Sequence, residues 1–123
     1  MEKGSLVLTN SGTVGIPAFL GINGCIHDGY LTFLNLSNKI SKNYLYYVFN
    51  AMKEHLESIA PEGNQKNLNT TIVGNLEIAL PPEKKQEERI SHLDKINKEM
   101  EENSSRIKKI EEEQQEALRE ILN

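Results

Sequence analysis

From Pro81 to Asn123 the chain reads PPEKKQEERISHLDKINKEMEENSSRIKKIEEEQQEALREILN, and how this stretch is read decides the fold. After Pro82 it contains no glycine and no aromatic residue, and Glu, Lys, Gln, Ile and Leu dominate. Counted in sevens from Leu93, one position holds Leu93, Met100, Ile107, Gln114 and Ile121, and a second holds Ile96, Asn103, Ile110 and Ala117. All but Asn103 and Gln114 are apolar, the pattern of a coiled-coil seam with two polar interruptions. A helix from about Pro82 to Leu122 is on the order of 60 Å long at 1.5 Å per residue. Alone in water it would leave its apolar stripe uncovered, so the pattern predicts a mate for these nine helix-pairing positions. Polar residues inside a seam fix register and strand number at some loss of stability, so Asn103 and Gln114 predict a specific mate.

Upstream of the prolines the periodicity is different. Ser5–Thr9 is rich in strand formers and stops at the turn cluster Asn10-Ser11-Gly12, after which Val14–Leu20 resumes an apolar run. These read as two strands around a tight connection, with Pro17 placing the second at an edge or bend. Tyr30–Leu36, bounded by Asp28-Gly29 and Ser37-Asn38, reads as a third strand. From Ser41, a plausible N-cap, Leu45, Val48, Phe49, Met52, Leu56 and Ile59 recur at helical spacing, which predicts a helix of about four turns ending before Pro61. A polar loop, Glu62–Asn67, follows, then Asn69 or Thr70 as the cap of a single turn. Leu76, Ile78 and Leu80 alternate as a half-buried strand. The expected fold class is α+β: a small mixed α/β subdomain over residues 1–82, then a long C-terminal coiled-coil helix over residues 83–123.

Composition narrows the function classes. The chain has 123 residues, room for one small domain and an extended element. Residues 1–82 carry five lysines, no arginine and six acids, against nine basic and twelve acidic residues from Glu83 on. Charge of alternating sign in the second part is the signature of a solvated helix face. Cys25 is the sole cysteine, which excludes an intrachain disulfide and a thiolate metal cluster and fits a reducing cytoplasm. No apolar run approaches the roughly 18 residues of a membrane span, and Met1-Glu2-Lys3-Gly4 lacks a signal-peptide pattern, so a cytoplasmic protein is expected.

Candidate chemistry is sparse. His27 and Asp28 are neighbours, but adjacent strand residues point to opposite faces and no nucleophile is placed by spacing, so Asp28-Gly29 reads better as a turn. His27, His55 and His92 show no ligand spacing, and neither a metal nor a cofactor is expected. Ser11-Gly12-Thr13-Val14-Gly15 is not a phosphate loop, since no Gly-Lys-Ser/Thr follows. It is either a strand connection that needs glycine or a turn that brings the Ser11 and Thr13 hydroxyls to DNA. Asn64-Gln65-Lys66-Asn67 is suited to DNA: Asn and Gln make paired hydrogen bonds to adenine, and lysine holds a phosphate or guanine. Polar surface loops are common, and that reading stays open beside it. Lys39 and Lys42 are either phosphate contacts or solvated lysines. The low positive charge of residues 1–82 provides little counterion release, so a DNA-binding role would need attraction from elsewhere.

In order along the chain, GSLVLTNSGTVG (4–15), Tyr44-Leu45-Tyr46-Tyr47, Gly63-Asn64-Gln65-Lys66-Asn67 and Leu76–Pro82 followed by Gln86 resemble the specificity subunits of type I restriction-modification systems. Pro81-Pro82-Glu83-Lys84-Lys85-Gln86 differs at one residue from that family's commoner Pro-Pro-x-x-Glu-Gln. The resemblance covers nearly the whole chain. It implies a partial DNA target-recognition domain over residues 1–82 and one spacer helix over residues 83–123. In the family two such helices pack as an antiparallel coiled coil between recognition domains. The implied partners are double-stranded DNA, the methyltransferase and restriction subunits, and a second copy or another specificity chain paired through the helix. No catalytic activity is implied. The alternative is a scaffold or regulator that binds partner subunits through its helix and does not read DNA; an enzyme built on His27 and Asp28 is the remotest reading.

Overall fold

The computed structural model describes residues 1–25, 29–60 and 67–123. They separate into two compact units, Met1–Glu87 and Glu88–Asn123. In the first unit a three-stranded antiparallel sheet has the order β2-β1-β3, with β1 at Leu6–Thr9, β2 at Pro17–Phe19 and β3 at Tyr30–Thr32. Leu6 pairs with Phe19 and Leu8 with Pro17 on one side, and Val7 pairs with Thr32 and Thr9 with Tyr30 on the other. Pro17, which has no N–H to give a ladder, stands on an edge strand as expected. β1 is central and reads Leu-Val-Leu because both of its faces are buried, so it needs no polar alternation.

Two helices cover the sheet, α1 (Lys42–Ala51) and α2 (Lys53–Ile59). Ser41 caps α1, its hydroxyl accepting from the Tyr44 amide at 2.9 Å. The single four-turn helix expected from Ser41 to Ile59 is divided at Met52, whose amide is shared between the carbonyls of Val48 and Phe49. This tightened turn interrupts the regular ladder. Leu6, Leu8, Val14, Leu45, Phe49, Leu56, Ala60 and Leu68 form the core. Phe33 packs on Phe49 at 5.0 Å between ring centres, and Phe19 stacks on Tyr46 at 5.1 Å, fastening the β2 edge to α1. Asn69 caps the short α3 (Thr70–Gly74) by accepting from the Ile72 amide.

Leu76–Leu80 corrects an expectation: the segment is not a strand. Leu76 and Ile78 lean on the core and Leu80 is exposed, which reproduces part of the alternation, but among the described residues no neighbouring strand supplies a ladder. Alternating burial reports contact with a core, not pairing. After Pro81-Pro82 comes α4 (Glu83–Ile121), an unbroken helix of 39 residues, about 58 Å long at 1.5 Å per residue. Its first turn is fastened to the first unit by Gln86, which is 1% exposed. The Gln86 carboxamide accepts from the Ser41 amide and donates to the carbonyls of Lys39 and Pro81. Among the described residues no helix is long and apolar enough to cross a membrane.

Gly15 has φ +82°, and a Cβ there would lie 3.1 Å from the Leu56 Cβ, whereas Gly12, at φ +69°, faces open space. Gly15→Ala is therefore expected to destabilise by about 1–3 kcal/mol more than Gly12→Ala, since both share the left-handed strain and only Gly15 overpacks the core. Urea denaturation followed by circular dichroism measures the pair; equal losses would contradict the close approach to Leu56.

Candidate nucleic-acid interface

The turn between β1 and β2 is built around one side chain. The Thr9 hydroxyl donates to the Thr13 carbonyl at 2.6 Å and accepts from the Ile16 amide at 2.9 Å. The Thr9 carbonyl accepts from the Gly15 amide at 2.8 Å, and the Thr9 amide donates to the Ile16 carbonyl at 3.0 Å. Four hydrogen bonds on one residue hold the seven-residue connection in shape and leave Ser11 and Thr13 exposed on its outside. A hydroxyl that satisfies nearby backbone groups is the ordinary way such turns are fixed.

Asn10, the next residue, is where the loops meet. Its amide donates to the Gly29 carbonyl at 2.9 Å, and its carbonyl accepts from the Leu68 amide at 2.8 Å. Leu68 is in the core at 1% exposure, while Asn67 before it is exposed. The fold thus brings the Ser11–Thr13 turn and Asn67 to the same end of β1, although they are more than fifty positions apart in the chain. Asn64, Gln65 and Lys66 lie outside the described residues, as do His27 and Asp28.

Lys42 does not join this group. Its ammonium donates to the Gly4 carbonyl at 2.8 Å, and Gly4 precedes β1, so Lys42 sits at the strand's other end. Lys39 is exposed, and its carbonyl is held by Gln86. His55 and His92 are exposed and stand on α2 and α4.

In the second unit the seam is uncovered. Met100, Ile107, Ile110 and Ile121 are each more than half exposed, and Ile96 is 39% exposed. Asn103, Gln114 and Ala117 are exposed too, and Leu93 is half-buried. Leu118 and Leu122, outside the seven-residue frame, extend the apolar surface near the end of the helix.

Polar turns collected at one end of a small α+β unit, and a long helix with a bare apolar seam, define a recognition module that works through binding. Residues 1–112 match the model of the type I restriction modification DNA specificity domain, and the chain belongs to this family. It is thereby a DNA-binding specificity component of a type I restriction-modification system, a family in general without catalytic activity. No curated protein matches the chain.

Sequence reasoning named Ser11, Thr13 and Asn67 as DNA-facing candidates but gave no role to the Thr9 and Asn10 hydrogen bonds that place them. The available signal was a threonine immediately ahead of Asn-Ser-Gly, a setting in which side chains commonly bond the turn backbone. Thr9→Val, close in volume but without the hydroxyl, is expected to destabilise by about 1–2 kcal/mol through two lost hydrogen bonds. It should also speed exchange of the Ile16 amide in native-state hydrogen exchange; unchanged exchange there would contradict the role given to Thr9.

Proposed function

We propose that this chain reads DNA sequence for a type I modification and restriction complex, with residues 1–82 as part of a target-recognition domain and residues 83–123 as a spacer helix. The observation that carries the reading is the meeting of the Ser11–Thr13 turn and Asn67 at one end of β1, secured by the Asn10–Leu68 hydrogen bond. Hydroxyl and amide side chains on neighbouring turns are the groups that contact phosphates and base edges. Asn64, Gln65 and Lys66, next in sequence to Asn67, complete the DNA-facing set, and Lys42 serves a phosphate from the other end. Docked methyltransferase and restriction subunits supply the catalysis and much of the positive charge that residues 1–82 lack. Such a complex works in the cytoplasm, where the chromosome is.

Leu93, Ile96, Met100, Asn103, Ile107, Ile110, Gln114, Ala117 and Ile121 pair with a second helix. A second copy of the chain fits this role at all of these positions but Leu93. Set antiparallel with Ile107 opposite Ile110 of the other copy, the seam also brings Met100 to Ala117, Ile96 to Ile121 and Asn103 to Gln114. Apolar residues meet apolar ones, and the two amides meet each other, satisfying groups that would otherwise be buried alone. The low positive charge favours a second reading, a scaffold that gathers subunits without touching bases.

Gel shift with purified methyltransferase subunits separates these readings: salt-sensitive, sequence-specific binding supports DNA reading, and assembly indifferent to DNA supports the scaffold. Gln65→Ala and Asn67→Ala are each expected to weaken specific binding by about 1–3 kcal/mol per lost paired contact. Full affinity in both variants would remove that loop from the interface. Sedimentation of Ile107→Asp should show a lower mass than the unaltered chain; identical mass would contradict pairing through this face.

A further inference from the structure

Gln86 is the one buried polar side chain among the described residues, and its carboxamide is fully engaged. Oε1 accepts from the Ser41 amide at 3.1 Å, and Nε2 donates to the Lys39 carbonyl at 2.8 Å and to the Pro81 carbonyl at 2.9 Å. The partners lie in two separate segments, one leading into α1 and one leading into α4. Ser41 caps α1, and Lys42 beside it holds the Gly4 carbonyl ahead of β1. A line of hydrogen bonds therefore runs from the first turn of α4 through the start of α1 to the start of the central strand.

Buried polar groups add little net stability over well-packed apolar ones; their distinct contribution is direction. Two donors and one acceptor in a planar group, each with a fixed backbone partner, admit one rotation of the helix turn that carries them. Leucine or methionine at this position would pack without selecting among neighbouring rotations. Gln86 also stands seven residues before Leu93, in the frame of the first seam position.

We propose that Gln86 is a positioning residue for sequence recognition: it fixes the rotation at which α4 starts, and with it the separation of half-sites that a paired molecule accepts. This rests on the reading of two recognition units held apart by paired helices. Gln86→Glu tests it by exchanging the NH2 group for oxygen. The two carbonyls of Lys39 and Pro81 then repel a carboxylate that has no proton to donate and drive it from the site, which takes the acceptor away from the Ser41 amide. Acid restores one O–H donor, so the defect should reverse on acidification.

The measurements are hydrogen exchange on the full chain and methylation by the assembled complex across DNAs whose half-site separation changes one base pair at a time. In Gln86→Glu near neutral pH, the Ser41 amide should exchange faster by about tenfold or more while β1 amides stay protected, with recovery in acid after correction for intrinsic rates. The complex should then methylate several separations where the unaltered one methylates a single one. Gln86→Met, similar in length and unable to hydrogen-bond, should broaden the accepted separations as well, and it replaces Gln86→Glu if that variant does not fold. A single separation retained by Gln86→Met, or equal acceleration of Ser41 and β1 amides in Gln86→Glu, overturns the positioning role and leaves the recognition reading standing. An unaltered complex that methylates no DNA of the series overturns the recognition reading, and this inference with it.

Discussion

Leu6, Val7 and Leu8 bury both faces of one short strand, and the organisation of the first unit follows from that constraint. A strand with no wet face has to be covered by helices and flanked by other strands, so only its two ends reach the surface. At one end, Thr9 and Asn10 draw together the β1–β2 turn, the residue before β3 and the segment that begins at Leu68. At the other, Gly4 is held by Lys42, and the neighbouring Ser41 is held by Gln86. Polar turns collect at the first end and the long helix starts from the second. Interior loss of Leu6 or Leu8 would therefore disturb both ends at once, because no other strand of the sheet is central.

The helix obeys a different constraint. Its seam residues find little cover within their own unit, yet a stripe of Ile, Met and Leu along a helix of 39 residues is costly to leave in water. On burial against a second helix, Asn103 and Gln114 would lower the energy gained and would discriminate among registers, since each is satisfied only opposite another polar group. On the proposed function, the first unit contributes surface chemistry and the second association. The few positive charges of residues 1–82 fit a division in which other subunits supply attraction to the phosphate backbone and this chain supplies discrimination.

Much of this was legible from the residues. The seven-residue repeat announced α4, the turn cluster after Thr9 announced the β1–β2 connection, Ser41 announced α1, and Pro17 announced an edge strand; each rests on local rules that tertiary packing did not override. The expected strand over Leu76–Leu80 failed because alternation records which side chains touch a core, and the same pattern arises in an extended segment without a ladder. The break at Met52 was invisible because Leu45, Phe49, Met52 and Leu56 keep helical spacing across it. Of the candidate site, residue types marked Ser11, Thr13 and Asn67, but their meeting depends on the backbone of Asn10, and backbone hydrogen bonds between distant segments leave no mark in residue type. Gln86 illustrates the same gap: the motif behind the family resemblance ends on it, but residue type and periodicity do not mark it, within a run of charged helix formers, as the one buried side chain of α4.

Recognition units held apart by paired helices would touch DNA at two places. Hydroxyl-radical footprinting of the complex assembled with its methyltransferase subunits tests this most directly. Two short protected tracts, separated by a stretch that stays open and keeps a constant length whatever its sequence, is the result expected. A single continuous protected tract, or protection that shifts with the sequence between the sites, would contradict it.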